Sequence, residues 1–420
     1  MELIIKNATI LSGHSPFHGQ RKDIYIKNGI IKSISNHMAT SGSTNVIEGK
    51  NIFCTAGLVD IGTHTSDPGY EHRETMSSLA KAARHGGYTI LVTVPNTLPY
   101  IGTKSDVQYM IQKGKEYNIE IKPLGALSTD GSGKDIAEYF DMLTAGAVGF
   151  SDGLISCQDA GMLSRALDYV KAFDGIIVHH PEDKTLSGKG LMHEGTVSTS
   201  LGLKGVPSLA EAVAVQRDLL LREYTDSRLL VHAISSNESV QLIRAAKEKS
   251  GKVYASVPYL NLIATDENVR GFDVDFKVRP VLRSDDDRNA LILALKNNVL
   301  DVIIANHVPV DEDGKKVEFP YAEHGAGGIE TAFIATVDAL AEKINLENLV
   351  AKFNDRPREI FGFEPVKIEE GQTADLCIFE KGNQHIFNKS YSLSANNPLL
   401  NSSFQTRILA TVFGDNIVIA

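Results

Sequence analysis

The sequence predicts an α/β fold: a parallel (β/α)8 barrel of the TIM type with a small β-sandwich domain built from both chain ends. Three observations predict it. Eight short apolar runs recur through the middle of the chain, helix-like segments fill most gaps between them, and β-rich segments of similar texture stand at the two ends. The expected division is residues 1–54 plus 365–420 for the small domain and 55–364 for the barrel.

The amino-terminal segments LIIKNATIL, DIYIKNGIIKSI and NVIEGKNIFC are β-branched runs punctuated by turn residues, and TADLCIFE and TRILATVFGDNIVIA repeat that texture at the far end. The eight central runs cover 58–64, 89–96, 120–128, 148–153, 175–183, 228–235, 252–258 and 300–309. Helices are expected at 76–85, closed by Gly86, at 208–224, and at 237–249, ending near Gly251. Ser208 and Glu211 form an S-x-x-E pattern that predicts a capping box on the second of these. An open doubly wound sheet is the competing arrangement, but it rarely needs eight such units.

With 420 residues, 42% of them hydrophobic, the chain can fill one barrel-sized core and a small accessory domain. A formal net charge of −10 argues against nucleic acid or an anionic membrane as partner. Three widely spaced cysteines (Cys54, Cys157 and Cys377) and no CxxC pair exclude a disulfide framework and a cysteine zinc site. No secretion signal and no apolar run of about 18 residues is found, so a soluble, cytoplasmic protein is expected.

In a (β/α)8 barrel the reactive groups come from the carboxyl ends of the strands. Those ends carry Asp60, Gly62 and His64; Asn96; Asp152; His179, His180, Glu182 and Asp183; His232; Tyr259; and Asn306 with His307. Five of the 13 histidines therefore gather where a pocket would open. Ordinary structural roles compete at each position. His64 also fits a hydrogen-bonded core histidine, Asp152 an Asx-turn in S-D-G, and Arg279 and Arg283 structural ion pairs. The glycines at 325–328 and in DGSGKD read as flexible loops, because Lys134 is followed by Asp135 and no phosphate loop results.

The segment GLVDIGTHTSDPGYEHRET resembles the signature V-D-x-H-x-H-x-R-x-P-G that follows the first barrel strand of dihydroorotases. VPNTLP, VGFSDG, HHPEDKTLSGKGLMHEG, FKVRPVLRSDDDRNAL, ANHVPVDEDGKK and GAGGIETA follow in that family's order, so the similarity spans nearly the whole chain. It implies a cyclic amidohydrolase barrel, a homodimer, and a place in pyrimidine biosynthesis. The active site does not carry over residue by residue. Gly62 stands at the first histidine of H-x-H, and Ser66 at the arginine that grips a substrate carboxylate. Asn306 stands at the catalytic aspartate, Val310 at a substrate-contacting histidine, and Arg279 at a substrate-contacting asparagine. Ala233 aligns with the sixth-strand histidine, and His232, one residue earlier, is expected to point to the other face.

His64, Asp152 and His180 remain as metal-ligand positions, enough for no zinc or one weakly bound zinc, and Asn96, Arg279 and Ser66 remain as substrate-facing positions. The expectation is a pseudoenzyme: a non-catalytic subunit whose partner, by the resemblance, is aspartate carbamoyltransferase. The alternative is an active dihydroorotase or related cyclic amidase with a one-metal site. A third reading is a sensor that binds a dihydroorotate-like small molecule through Asn96 and Arg279.

Overall fold

The computed structural model describes residues 2–39, 45–394 and 396–419. Met1 and Ala420, at the outer ends of the terminal β-segments, lie outside the described residues. Eight parallel strands form the barrel wall: β1 (Leu58–Thr63), β2 (Tyr88–Thr93), β3 (Glu120–Ala126), β4 (Gly149–Ser151), β5 (Ile176–His179), β6 (Arg228–Val231), β7 (Val253–Pro258) and β8 (Val302–Ile304). Seven fall inside the predicted apolar runs, and β2 begins one residue before its run, at Tyr88. The helices that follow them are α1 (Met76–His85), α2 (Lys104–Glu116), α3 (Tyr139–Ala145), α4 (Ala160–Lys171), α5 (Ser208–Thr225), α6 (Asn237–Lys249), α7 (Asp285–Lys296) and α8 (Ala332–Leu340).

Alternation sorts the strand residues into two cores. Val59, Ile61, Ile90, Val92, Leu124, Ile176, Val178, Leu230, Val302 and Ile304 fill the barrel interior. Their neighbours Leu58, Leu91, Ile177, Leu229, Val231 and Ile303 face the helices. The strand ladder runs from β1 to β8 without a backbone pairing between those two. Side chain and loop close that seam: Ala305 N donates to Asp60 Oδ1 at 2.7 Å, and His64 N donates to the His307 carbonyl at 3.0 Å.

The small domain is one curled eight-stranded sheet. Strands Glu2–Leu11, Arg21–Lys27, Ile30–Ser35, Asn45–Ile47 and Ile52–Ala56 come from the amino-terminal end. Asp375–Ile386, Ser403–Phe413 and Asn416–Ile419 come from the other end, joined through antiparallel pairing of Ile52–Ala56 with Asp375–Ile386. Its own core includes Leu3, Ile5, Ile10, Ile24, Leu376 and Val412. Arg358 ties the two units together, donating to the Gly57 carbonyl and to Asp375 Oδ2, both at 2.8 Å. Among the described residues no helix is long and apolar enough to cross a membrane.

The expected capping box on α5 does not form. Pro207 is the N-cap, and Ser208 Oγ reaches Glu238 Oε1 at 3.1 Å instead. Glu211 turns inward, where its buried carboxylate accepts from the backbone N–H groups of Ser235 and Ser236 at 3.0–3.1 Å and from both hydroxyls. Charge-assisted bonds from four buried donors outweigh one local cap.

Candidate active site at the barrel mouth

The interior alternation, continued past the strand ends, decides which side chains look into the mouth. On β1 it passes Val59 and Ile61 and then breaks at Gly62, whose φ is +86° and where the register shifts between Ile61 and Thr63. Only glycine fits there. A Cβ would lie 2.4 Å from His232 Nε2, in addition to the cost of positive φ. His64 follows, half-buried, its Nε2 buried with no hydrogen-bond partner among the described residues. Burial, helped by neighbouring His307, lowers its pKa to about 4, so the ring is neutral. Ser66 is buried with φ +60°, and its carbonyl accepts from Tyr70 N at 2.7 Å.

From β2, Asn96 donates to the Asp152 carbonyl at 3.1 Å and to the Tyr100 hydroxyl at 3.2 Å, while its Oδ1 has no partner among the described residues. Asp152, after β4, spends both carboxylate oxygens on the end of β3. Oδ1 accepts from Leu127 N (3.0 Å) and Ser128 N (3.1 Å), and Oδ2 from Ser128 Oγ (2.5 Å). Burial raises its pKa against the pull of those bonds. The Asx-turn expectation is thereby corrected: Gly153 N donates to Ser151 Oγ, and the aspartate serves the neighbouring strand.

After β5, successive histidines diverge. His179 faces outward, its Nδ1 2.6 Å from Asp218 Oδ2 on α5 and its Nε2 accepting from Cys157 N at 2.9 Å. His180 faces inward, with Nδ1 3.4 Å from the His232 carbonyl and Nε2 without a hydrogen bond. That Nε2 lies 3.8 Å from Glu182 Oε2, beyond hydrogen-bond range. Arg279 grips Glu182 with Nη1 at 2.9 and 3.1 Å and donates Nη2 to the Gly190 carbonyl at 2.9 Å. Burial would raise the Glu182 carboxyl, but the His180 ring and the Arg279 charge prevail and hold it at about 2. The guanidinium is thus paired with a protein carboxylate.

The expectation for β6 is corrected. His232 looks into the barrel, because Leu230 two residues earlier is an interior residue. Its Nδ1 sits 3.0 Å from Ser256 Oγ on β7, and its Nε2 end occupies the space above Gly62. Burial, with neighbouring histidines His180, His64 and His179, lowers its pKa to about 3. Ala233, also packed with the interior cluster, carries φ +60° and marks where the chain leaves the strand. Tyr259 turns away, its hydroxyl 3.1 Å from Thr331 Oγ1 in the outer core. Asn306, at φ +46°, donates Nδ2 to the Arg279 carbonyl at 2.8 Å, and its Oδ1 has no partner among the described residues. His307 is fully buried, with Nε2 3.5 Å from Glu74 Oε2. Val310 N is held by Ser394 Oγ at 3.0 Å.

Ser256 and Glu74, and the pairing of Glu182 with Arg279, escaped the sequence reading. Ser256 orients His232, Glu182 neutralises Arg279, and buried Glu74 accepts from Leu393 N (3.0 Å) and from the Ser392 and Ser78 hydroxyls. Only the interior parity of Ser256 with Tyr254 was readable; the two carboxylates act through residues roughly 100 and 320 positions away. Among the described residues no three His, Cys, Asp or Glu side chains form a group arranged to hold a metal ion.

Solved structures share this fold of a barrel with a sheet domain. L-hydantoinase (dihydropyrimidinase) from Arthrobacter aurescens superposes with a TM-score of 0.85 at 23% identity, covering 99% of this chain and 96% of that one. Dihydropyrimidinase from Brevibacillus agri NCHU1002 gives 0.81 at 19% identity, covering 100% and 95%. The model of the family described as "Dihydro-orotase-like" matches residues 50–239. A dihydroorotase of Syntrophus aciditrophicus (strain SB) is 34% identical across 100% of this chain and 99% of its own length. One from Thermoanaerobacter sp. (strain X514) is 37% identical across 93% and 90%. The chain belongs to the dihydroorotase family.

Proposed function

We propose that this family member serves pyrimidine biosynthesis in the cytoplasm as a non-catalytic subunit, its partner being aspartate carbamoyltransferase. The observation that carries the reading is the Gly62–His232 contact: the first ligand position has no side chain, and another ring fills the room one would need. A two-metal centre does not fit the remaining donors. Both Asp152 oxygens are taken by β3 donors, and Asn306 offers an amide with no basicity where a proton acceptor would be required. General acid–base transfer alone is worth roughly 10²–10⁴-fold, so its loss removes most turnover before the metal is considered. Arg279, held by Glu182, is not free to grip a substrate carboxylate.

The test is hydrolysis of dihydroorotate by the purified full chain after zinc reconstitution, with metal content measured in parallel and co-purification with aspartate carbamoyltransferase scored separately. The reading expects no turnover above background and less than one retained zinc per chain. Ordinary enzymatic turnover would end it.

A second reading, one weak zinc, is favoured by one observation. Among the described residues His64 and His180 keep buried Nε2 atoms without partners beside His232, whose Nδ1 is fixed by Ser256. As placed, the three imidazoles form no group arranged for a metal, so they would hold the ion only after a small rearrangement, with Nδ1 contacts orienting two of them. Zinc titration of the wild type against His180→Ala, followed by calorimetry, decides it: binding that the substitution leaves unchanged removes this reading.

A further inference from the structure

A cleft of about 240 Å³ opens where the small domain meets the barrel. The barrel supplies His85, at the end of α1, and Ile334 on α8. The small domain supplies Phe387 and Lys389, just past the strand Asp375–Ile386, and Arg407 and Ile408 on Ser403–Phe413. Junctions between two packed units are where small-molecule sites preferentially form. One wall is apolar: Ile334 and Ile408 are buried, and Phe387 is half-buried. At the rim, His85 stacks on Tyr391 with ring centroids 3.7 Å apart, and Lys389 Nζ lies 4.6 Å from the Tyr391 centroid.

The chain carries a net charge of −10, yet the uncommitted charges facing this cleft are cationic. Lys389 has no carboxylate partner among the described residues. Arg407 gives only its Nε, to Glu380 Oε1, so both Nη groups stay without partners among the described residues. The acids nearby are already committed. Glu330 accepts from the Ser390 hydroxyl, from Tyr391 N at 3.0 and 3.1 Å and from Ser392 N at 3.4 Å. Asp338, which raises His385, spends Oδ2 on Gln405 N at 2.5 Å and does not line the cleft. The histidines register the remaining field: burial, then the charges of Arg84 and Lys389, hold His85 below its ordinary value, and burial, then Arg407, lower His385. An exposed lysine alone needs no partner. Two free cationic donors beside an apolar wall, in an otherwise acidic protein, match a ligand that carries one negative group and one apolar part. The size limits it further. At about 240 Å³ the cleft falls below the roughly 300–1,000 Å³ of sites for drug-sized ligands, so the apolar part must be compact.

We infer that this cleft binds a small organic anion, one carboxylate or phosphate on a compact apolar body. The anionic group meets Lys389 and Arg407, and the body rests on Ile334, Phe387 and Ile408. The inference does not depend on the state of the barrel mouth. Isothermal titration calorimetry of the full chain with benzoate and with phenyl phosphate tests it. Benzamide serves as the uncharged counterpart and inorganic phosphate as the bare anion. Saturable binding of benzoate or phenyl phosphate is expected, and the tighter of the two identifies the charged group. Benzamide and inorganic phosphate should each bind at least tenfold more weakly, since one lacks the charge and the other the body. Lys389→Glu should weaken binding at least tenfold and Lys389→Arg should retain it. Lys171→Glu, an equal change of charge on α4, should leave it unaltered. Arg407→Gln should weaken it severalfold, with circular dichroism to confirm folding because Arg407 also pairs with Glu380. Four results would overturn the inference: no binding of either anion, benzamide as tight as benzoate, inorganic phosphate as tight as phenyl phosphate, or equal effects of Lys389→Glu and Lys171→Glu.

Discussion

The β1–β8 seam and the barrel mouth above it lie at the same end of the barrel, yet they hold buried polar atoms in opposite states. In the seam, Asp60 accepts from Ala305 N at 2.7 Å and from Thr63 Oγ1 at 2.5 Å, and the backbone of His64 is paired. In the mouth, His64 Nε2, His180 Nε2, Asn96 Oδ1 and Asn306 Oδ1 have no partners among the described residues. The Asp60 carboxylate that stitches the barrel is satisfied, whereas these four atoms facing the cavity are not. Stability and chemistry draw on different atoms of the same segment, so the second can be lost while the first is kept.

The largest effect should come from the seam. Asp60→Ala strands the Ala305 amide and the Thr63 hydroxyl in the interior, and at roughly 1–3 kcal/mol per buried group the loss is about 3 kcal/mol. Urea unfolding should show it as a lowered midpoint with an unchanged slope. Gly62→Ala comes next: a left-handed backbone with a Cβ added costs about 1–2 kcal/mol, and the overlap with His232 adds to it. Combining it with His232→Ala should cost less than the sum of the two, and strict additivity would refute the contact.

A pH titration separates the regions by sign. His64 and His232, lowered to about 4 and about 3 from 6.5, stay neutral in the fold while the unfolded chain takes up protons below about 6.5. Their contribution is therefore complete above 6.5 and is lost as pH falls toward 4 and 3. Asp60, raised to about 6 from 3.8 mainly by burial, works the other way: its contribution is complete below 3.8 and lost as pH rises through 6. Between pH 6.5 and 4 the two histidines outnumber it, and stability should fall on acidification by about 1.4 kcal/mol per pH unit for each unbalanced proton. Asp60→Asn should steepen that fall. The smallest effect belongs to the mouth. His64→Leu removes an unsatisfied buried nitrogen and should change stability by less than about 1 kcal/mol, in either direction.

These contrasts also explain what the sequence disclosed. The eight strands were legible because β-branched runs between turn residues report a wall buried on both faces. The glycine at 62 and the amide at 306 were equally plain, since residue type alone carries them. The facing of His232 was misjudged by counting from Ala233. Counting from Leu230 along the strand gives the interior side, and Ala233 is where that alternation stops. The S-x-x-E pattern on α5 misled for a related reason: Glu211 serves donors at 235 and 236, which only the closed barrel brings near. Glu182 facing Arg279, and Glu74 facing 392–393, likewise depend on contacts that no local pattern encodes.

Restoring the missing acid tests the central claim most directly. Asn306→Asp, reconstituted with zinc and assayed on dihydroorotate beside the wild type, should remain as inactive as its parent, because Gly62 still lacks a ligand and Arg279 still answers to Glu182. Turnover in the wild type, or its recovery to ordinary enzymatic rates by this one substitution, would show that the mouth retains a working centre and contradict the account.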